Sequence, residues 1–264
     1  MSLPIDLAGR RAIVTGVSSG IGAGIALALA RAGCDVAGCG LESAQSDGAR
    51  QFLADVERQG RRGLYQAADL ADGAAARAFV AWAADQLGGI DLLVSNAGRN
   101  FNVGAAQCGE DDWQANLDLN LAAHWRVAQA AKPHLDRAAS PAVIIIASNH
   151  AFFTIPNSFP YNVAKAGLTA LVQSLALEWG PHVRAVGVAP GFVDTPMNVE
   201  WFGRFPDPAA KRGQIERIHP VGRIGTPADV GALVAFLGSP LAGFISGTTI
   251  LIDGGRSAVM QDAG

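Results

Sequence analysis

"RAIVTGVSSGIG", residues 11–22, is the stretch on which the reading of the whole chain turns. After its leading arginine the run "AIVT" is apolar or β-branched, as a strand buried on both faces should be. Gly16, Gly20 and Gly22 follow, and from residue 20 to 32 the pattern becomes helical. Glycines permit a tight turn and a close backbone approach, while a helix N-terminus offers unpaired N–H groups and the positive end of its dipole. Glycines in a turn are weak evidence by themselves. With a strand before and a helix after, binding of a dinucleotide pyrophosphate is a better reading than a bare turn.

The alternation continues outward from this unit. Strands are predicted at 11–15, 34–38, 63–67, 90–95, 142–147, 183–189 and 248–253, and helices at 20–32, 44–59, 72–87, 111–136, 161–179 and 227–237. Strand–helix alternation of this kind predicts an α/β fold: a doubly wound parallel sheet of the Rossmann type with about seven strands, right-handed crossovers and helices on both faces. No repeat, low-complexity tract or Pro-rich linker cuts the chain, so residues 1–264 read as a single domain. Residues 195–223 break the rhythm, with no clean helical period and with Trp201, Phe202, Phe205, Pro206 and Pro208 close together. Such an insertion after a strand reads as a substrate lid, with a loose structural loop as the alternative.

Composition narrows the function classes. Half of the 264 residues are hydrophobic, 16% are charged, and the net charge is −3, so no broad basic surface is offered to nucleic acid or an anionic membrane. No apolar run is long enough to span a bilayer, and the opening "MSLPIDLAGRRAIVTG" lacks the apolar core of a signal peptide. Cys34, Cys39 and Cys108 have no metal-ligand spacing and read as small apolar fillers in a reducing compartment. The expectation is a cytoplasmic protein without a bound metal.

"YNVAKAGLTALVQSLALEWG", residues 161–180, carries the second decisive pattern. The chain has only two tyrosines, yet one opens this apolar helix with a lysine four residues later. Residues at that spacing share a helix face, so Tyr161 and Lys165 are expected to point into one cleft. A free phenol, with a pKa of about 10, is a poor base at neutral pH, and a nearby ammonium favours its ionised form. Taken singly, Tyr161 could be a helix-start residue and Lys165 a snorkelling surface lysine.

Further motifs stand in register with these two. They are "TGVSSGIG" (15–22), "ADL" (68–70), "SNAG" (95–98), "LDLNL" (117–121), "IIIASN" (144–149), "APGFVDTP" (189–196) and "IDGG" (252–255). In this order, along nearly the whole length, the chain resembles the short-chain dehydrogenase/reductase family, with Ser95 where the family motif has its first asparagine. The resemblance implies a catalytic set of Asn120, Ser148, Tyr161 and Lys165. It implies cofactor contacts from Gly16, Ser18, Ser19, Gly20, Ile21 and Gly22, from Gly40 and Leu41, from Asp69 and Leu70, and from Asn96, Ala97 and Gly98. Tyr161, Lys165, Pro190, Gly191, Val193 and Thr195 complete those contacts. In the roles so implied, Tyr161 exchanges a proton with the substrate oxygen and Ser148 hydrogen-bonds that oxygen. Lys165 serves a cofactor ribose and the phenol, and Asn120 helps hold Lys165 and a water-linked proton path. Homotetramers are the usual assembly of such chains.

The implied reaction interconverts a secondary alcohol and its carbonyl with NAD(P). The acidic residue that NAD enzymes often place at the end of the second strand falls here on Gly40, followed by Leu41 and Glu42. No cation is present in this stretch to receive a 2′-phosphate, and Glu42 would repel one, so NAD is favoured over NADP. His150, Phe153 and Trp201 are the candidate substrate residues. Residues 201–223 resemble the lid of sugar-oxidising members, which leans the substrate toward a sugar, polyol or sugar acid. Alternatives are a cyclic or steroid-like alcohol, a 3-oxoacyl group, or a non-catalytic NAD-sensing regulator, the last of which would have no need of all four catalytic residues.

Overall fold

In a computed structural model that describes residues 4–259, the chain carries one seven-stranded parallel sheet. Its strands are β1 (Arg11–Thr15), β2 (Asp35–Gly40), β3 (Gly63–Ala67), β4 (Leu92–Ser95), β5 (Ala142–Ile146), β6 (Arg184–Pro190) and β7 (Thr249–Ile252). Their spatial order is 3-2-1-4-5-6-7. The ends of the 1–264 span, residues 1–3 and 260–264, lie outside the described residues.

The continuous apolar strands explain the two layers. Along β1, Ala12 and Val14 belong to one buried cluster and Ile13 to the other; along β5, Ile144 and Ile146 alternate in the same way with Val143 and Ile145. One face is covered by α1 (Gly20–Arg31), α2 (Asp47–Glu57) and α9 (Pro227–Gly238), the other by α3 (Gly73–Leu87), α5 (Ala123–Leu135) and α6 (Tyr161–Trp179). The direction of winding reverses between β1 and β4, which are hydrogen-bonded neighbours. A crevice opens at the carboxyl ends of strands where such a reversal occurs, and that is where open α/β sheets bind ligands.

Helix α1 is held from behind by α9. A Cβ on Gly24 would lie 2.4 Å from Pro227, and one on Gly231 would lie 2.6 Å from the Gly24 carbonyl oxygen, so the two helices meet almost backbone to backbone.

Three expectations are corrected. The helix read at 111–136 is two helices, α4 (Glu110–Leu117) and α5, joined through a π-helical turn at Asp118–Ala122. Such turns often mark functional positions, and this one contains Asn120. The helix read at 44–59 starts later because Ser46 caps it, accepting from Ala49 N–H. The insertion 195–223 is no irregular loop: it holds α7 (Pro196–Phe202) and α8 (Pro208–Arg217). Each begins with a proline behind a side-chain cap, Thr195 and Asp207, an arrangement in which the missing proline N–H costs nothing. Among the remaining elements β1, β3 and α6 have the predicted bounds, and the others differ by one or two residues at an end.

Candidate active site

At the end of β1 the backbone enters the left-handed region at Gly16 (φ +73°), which only glycine tolerates without strain. Gly22 answers a different need. A Cβ there would stand 1.9 Å from the Gly16 carbonyl oxygen and 2.6 Å from Asn96 Nδ2, so the loop can fold over α1 only if the position carries no side chain. Ser19 precedes α1 without capping it by its side chain, which leaves the first-turn N–H groups facing the loop unclaimed. An arrangement of this kind can act as a cradle for a phosphate group.

Residues from β4 lock the cradle in place. Asn96 N–H and Ala97 N–H both donate to Thr15 Oγ1, at 2.8 and 2.9 Å, and Asn96 Nδ2 donates to the Thr15 carbonyl at 2.8 Å. From the far side comes the segment after β6. Thr195 Cγ2 lies 3.3 Å from where a Cβ on Gly20 would stand, Gly191 packs against Asp253, and Val193 is buried. Ser18, Ser19, Gly20 and Ile21 line the loop and the first turn of α1, and Pro190 closes β6.

The end of β2 brings Gly40 and Glu42 beside Ser18 of the glycine loop. The space a side chain at Gly40 would need is already taken, with Tyr65 Oη at 2.8 Å, Ser18 Oγ at 2.9 Å and Glu42 Oε2 at 3.0 Å from its Cβ position. Glu42 folds back across this gap: Ser18 Oγ donates to its carboxylate at 2.8 Å, and Tyr65 Oη donates to its carbonyl at 2.8 Å. The acid therefore arrives from two residues beyond the strand. Leu41 is exposed beside it. Asp69, also exposed, accepts from Ala71 N–H, and Leu70 is buried in the core behind.

The four residues implied as catalytic lie along the neighbouring strand ends. Ser148, just beyond β5, accepts from His150 N–H at 3.2 Å. Tyr161 opens α6, tied to the loop after β4 by its N–H to the Phe101 carbonyl (3.4 Å). Lys165 lies one turn on, 3% exposed, with Nζ 5.6 Å from the centre of the Tyr161 ring. Its ammonium donates to the Ile146 carbonyl at 3.0 Å.

Asn120 makes its direct hydrogen bonds to neighbours of Lys165 rather than to the lysine itself. Its Nδ2 donates to the Arg99 carbonyl (2.9 Å) and to Asn116 Oδ1 (3.0 Å), and its Oδ1 accepts from Arg99 N–H (3.2 Å). Asn120 instead secures the backbone after "SNAG". It does so next to the lysine: a Cβ on Gly98 would lie 2.7 Å from Asn120 Oδ1 and 3.6 Å from Lys165 Nζ.

The electrostatics of the pair also differ from expectation. Burial pushes the Tyr161 phenol up to about 12, with the Ser148 hydroxyl pulling the other way. Burial brings the Lys165 ammonium down to about 7. Desolvation outweighs the charge–phenol attraction that the sequence spacing predicts, because Lys165 is buried with its ammonium spent on a carbonyl and Tyr161 is half-buried.

A stability prediction follows with a definite sign. Below about pH 7 Lys165 is charged in folded and unfolded chains alike, and the fold bears the whole cost of burying it. Between about pH 7 and about pH 10.5 the unfolded chain holds a proton the fold has released, so stability rises with pH and the cost fades. Lys165→Met, while removing activity, is therefore expected to raise the melting temperature most at about pH 6 and little at about pH 10. Thermal melts across that range check this; a gain independent of pH would refute it.

Of the three substrate candidates, His150 is the one in contact with Tyr161. The His150 ring meets Tyr161 edge-on at 6.0 Å, its Nδ1 is 3.1 Å from Thr154 Oγ1, and burial lowers its pKa, so it is neutral. Phe153 is exposed on the same loop. Trp201 packs among Phe192, Phe202 and Phe205 in the α7–α8 insertion, which Arg212 ties to Asp194.

One residue escaped the sequence reading: His124, 1% exposed, whose Nδ1 is 2.8 Å from Ser95 Oγ while its Nε2 is buried without a hydrogen-bond partner. Asn116, Asn120 and His124 recur every fourth residue and form a buried polar stripe, a spacing that could have drawn attention to the histidine. A buried polar atom left unpaired costs about 1–3 kcal/mol, so this one calls for a function.

Comparison with known proteins accords with this geometry. A family model described as enoyl-(acyl carrier protein) reductase matches residues 16–257. The chain is 34% identical over 256 residues to 3beta-hydroxysteroid dehydrogenase 1 of Eggerthella lenta, covering 96% of this chain and 95% of that one. It is 32% identical over 258 residues to the L-rhamnose 1-dehydrogenase (NAD(P)(+)) of a Sphingomonas species, covering 97% and 99%. A short-chain dehydrogenase/reductase from Serratia marcescens superposes with a TM-score of 0.86 at 33% identity, covering 95% of this chain and 99% of that one. With relatives aligned over their full length on the same sheet, the chain belongs to the short-chain dehydrogenase/reductase family, oxidoreductases that act on alcohols and the corresponding carbonyl compounds.

Proposed function

We propose that this enzyme interconverts a secondary alcohol and its carbonyl with NAD, using Tyr161 as the general acid and base. One observation carries the reading: Tyr161, Ser148 and Lys165 converge at the carboxyl edge of the sheet, beside a phosphate cradle that a single methyl at Gly22 would fill. The cradle, the open N–H groups of α1 and the acid at the end of β2 fit a nicotinamide dinucleotide. When bound, that cofactor supplies the hydride acceptor for oxidation and the donor for reduction. In oxidation Tyr161 Oη takes the hydroxyl proton of the substrate, and in reduction it returns it. Ser148 Oγ donates to the substrate oxygen and fixes its distance from the phenol. Lys165 contributes positive charge on the phenol's side of the site, and Asn120 keeps the Arg99 backbone in place behind it.

The preference for NAD rests on Glu42, whose carboxylate, fixed by Ser18, would meet a 2′-phosphate as a like charge. Glu42→Gln is expected to improve kcat/KM with NADP relative to NAD by about tenfold. Steady-state kinetics with both cofactors measure it; an unchanged ratio would place the discriminating contact elsewhere.

A sugar, polyol or sugar acid is the substrate class we favour, supported by the rhamnose-oxidising relative and by an α7–α8 lid carrying Trp201. A second reading, a cyclic alcohol of steroid type, is favoured by the exposed Phe152, Phe153 and Ile155 at the rim and by the hydroxysteroid-oxidising relative. A panel of sugars, polyols, sugar acids and hydroxysteroids, each tried with NAD and NADP and followed by nicotinamide absorbance, separates the two. Silence across the panel, with NAD bound, would favour a cofactor-sensing role instead. The remaining assignments are a single domain, a homotetramer and a cytoplasmic location. The tetramer is supported by apolar side chains exposed on the helices and near the last strand, Trp125, Val163, Leu177 and Phe244. The location is supported by the lack, among the described residues, of any helix able to cross a membrane.

A further inference from the structure

We propose that Ser95 and His124 form a buried positioning unit for Lys165, in which Ser95 fixes the imidazole so that the Nε2 lone pair, through one buried water, stabilises the Lys165 ammonium. The inference rests on the acid–base reading of Tyr161 and Lys165 given above and extends it by one residue pair.

The geometry begins with position. Ser95 ends β4, three residues before Gly98, whose Cβ position lies 3.6 Å from Lys165 Nζ. His124 follows Asn120 by four residues, on the same inward stripe, and Asn120 Oδ1 lies 2.7 Å from that Gly98 position. Lysine and imidazole thus flank one short piece of backbone, and Lys165 carries the charge felt at His124. Of the other titratable and charged groups on the elements around α6, Glu178 and the α4 acids Glu110, Asp111 and Asp112 are exposed to solvent, and Arg184 donates to the Leu237 carbonyl. Tyr161 stands on the helix itself and His150 faces Thr154. The Arg99 guanidinium lies over the Phe101 ring at 4.3 Å, and Asp118 and Arg126 pair with one another at 2.9 Å. That leaves His124 Nε2 as the free nitrogen at this place.

The tautomer follows from electrostatics. An N–H aimed toward an ammonium would be repelled, whereas a lone pair is attracted. The proton therefore belongs on Nδ1, where it is donated to Ser95 Oγ, and Nε2 is left as acceptor. Burial and the Lys165 charge both hold the ring neutral, as an acceptor must be. A buried imidazole is an expensive way to fill space, since leucine would pack without a stranded nitrogen.

Because only three lysines are present, lysine labelled at Cε gives an NMR titration in which Lys165 is assigned by elimination, in the free protein and without substrate. His124→Leu is expected to lower the Lys165 pKa by about one unit, a tenfold change in the proton equilibrium. Two amides dissect the imidazole: the glutamine amide reaches the place of Nε2, the asparagine amide only that of Nδ1. His124→Gln should restore the titration, and His124→Asn should behave like leucine. Should His124→Leu fail to fold, the amide pair still decides. An unchanged or raised Lys165 pKa in His124→Leu, or equal behaviour of the two amides, overturns the proposal. With a substrate in hand, the pH profile of kcat should move to higher pH in His124→Leu, since a less charged lysine lowers the phenol less. Loss of rate with an unmoved profile would mean a purely structural histidine. Failure of the acid–base reading would look different, since Tyr161→Phe would then retain turnover whatever the lysine titration shows.

Discussion

Tyr161→Phe will cut kcat by about a hundred- to ten-thousandfold, the usual contribution of a positioned proton donor or acceptor, while leaving the fold and cofactor binding intact. The substitution removes one oxygen, the one to which the proposed proton exchange is assigned. The ring keeps its contacts with His150 and the start of α6, so packing is not disturbed. The phenol does not help the free protein in any way that its loss would expose: burial holds it at about 12, un-ionised at neutral pH. Its contribution appears only when a substrate hydroxyl must give up a proton or a developing alkoxide must receive one. Steady-state rates, with NAD affinity measured separately by quenching of tryptophan fluorescence, make the distinction. A variant that turns over within about threefold of the parent would exclude Tyr161 as the acid–base group.

Gly22→Ala is the second large effect, and it strikes a different link. The added methyl would enter at 1.9 Å from the Gly16 carbonyl oxygen, a main-chain atom that cannot rotate aside. Either the turn opens or α1 withdraws, and α1 is already seated against Pro227 and Gly231. Overpacking of this kind costs about 1–3 kcal/mol of stability. The loss in NAD affinity should be greater. The cradle presents N–H groups to a phosphate, and each charge-assisted bond is worth about 1.5–3 kcal/mol, so misplacing two weakens binding by at least about a hundredfold. Gly109→Ala is the control, since a Cβ there meets nothing within 4 Å. Comparable NAD affinity in Gly22→Ala and Gly109→Ala would show that the glycine loop is not where the pyrophosphate rests.

What the sequence made legible divides along a physical line. Patterns that depend on neighbours in the chain could be read directly. The alternating burial of β1 and β5, the helix that follows Gly20 and the shared face of Tyr161 and Lys165 all follow from periodicity. Helices α7 and α8 were hidden because none of the residues of α8 is buried, so no apolar stripe betrays it. The capped prolines at 196 and 208 were the available sign. Features set by the return of distant chain were not legible. Glu42 acquires its place only because Ser18 and Tyr65 meet it across three strand ends. The same holds for Ser95 and His124, which are 29 residues apart. The depressed lysine and raised phenol depend on how much water the finished fold excludes, a quantity no four-residue spacing contains.

The seating of α1 on α9 has a consequence for folding. The loop that would grasp a diphosphate is local in the chain, but the surface that fixes its helix is made by Pro227 and Gly231, about 200 residues further along. Closing so long a loop comes at an entropic cost that only the assembled sheet offsets. A partly folded chain therefore owns the glycine turn without the buttress that shapes it, and tight grip on a nucleotide waits for the long-range contact.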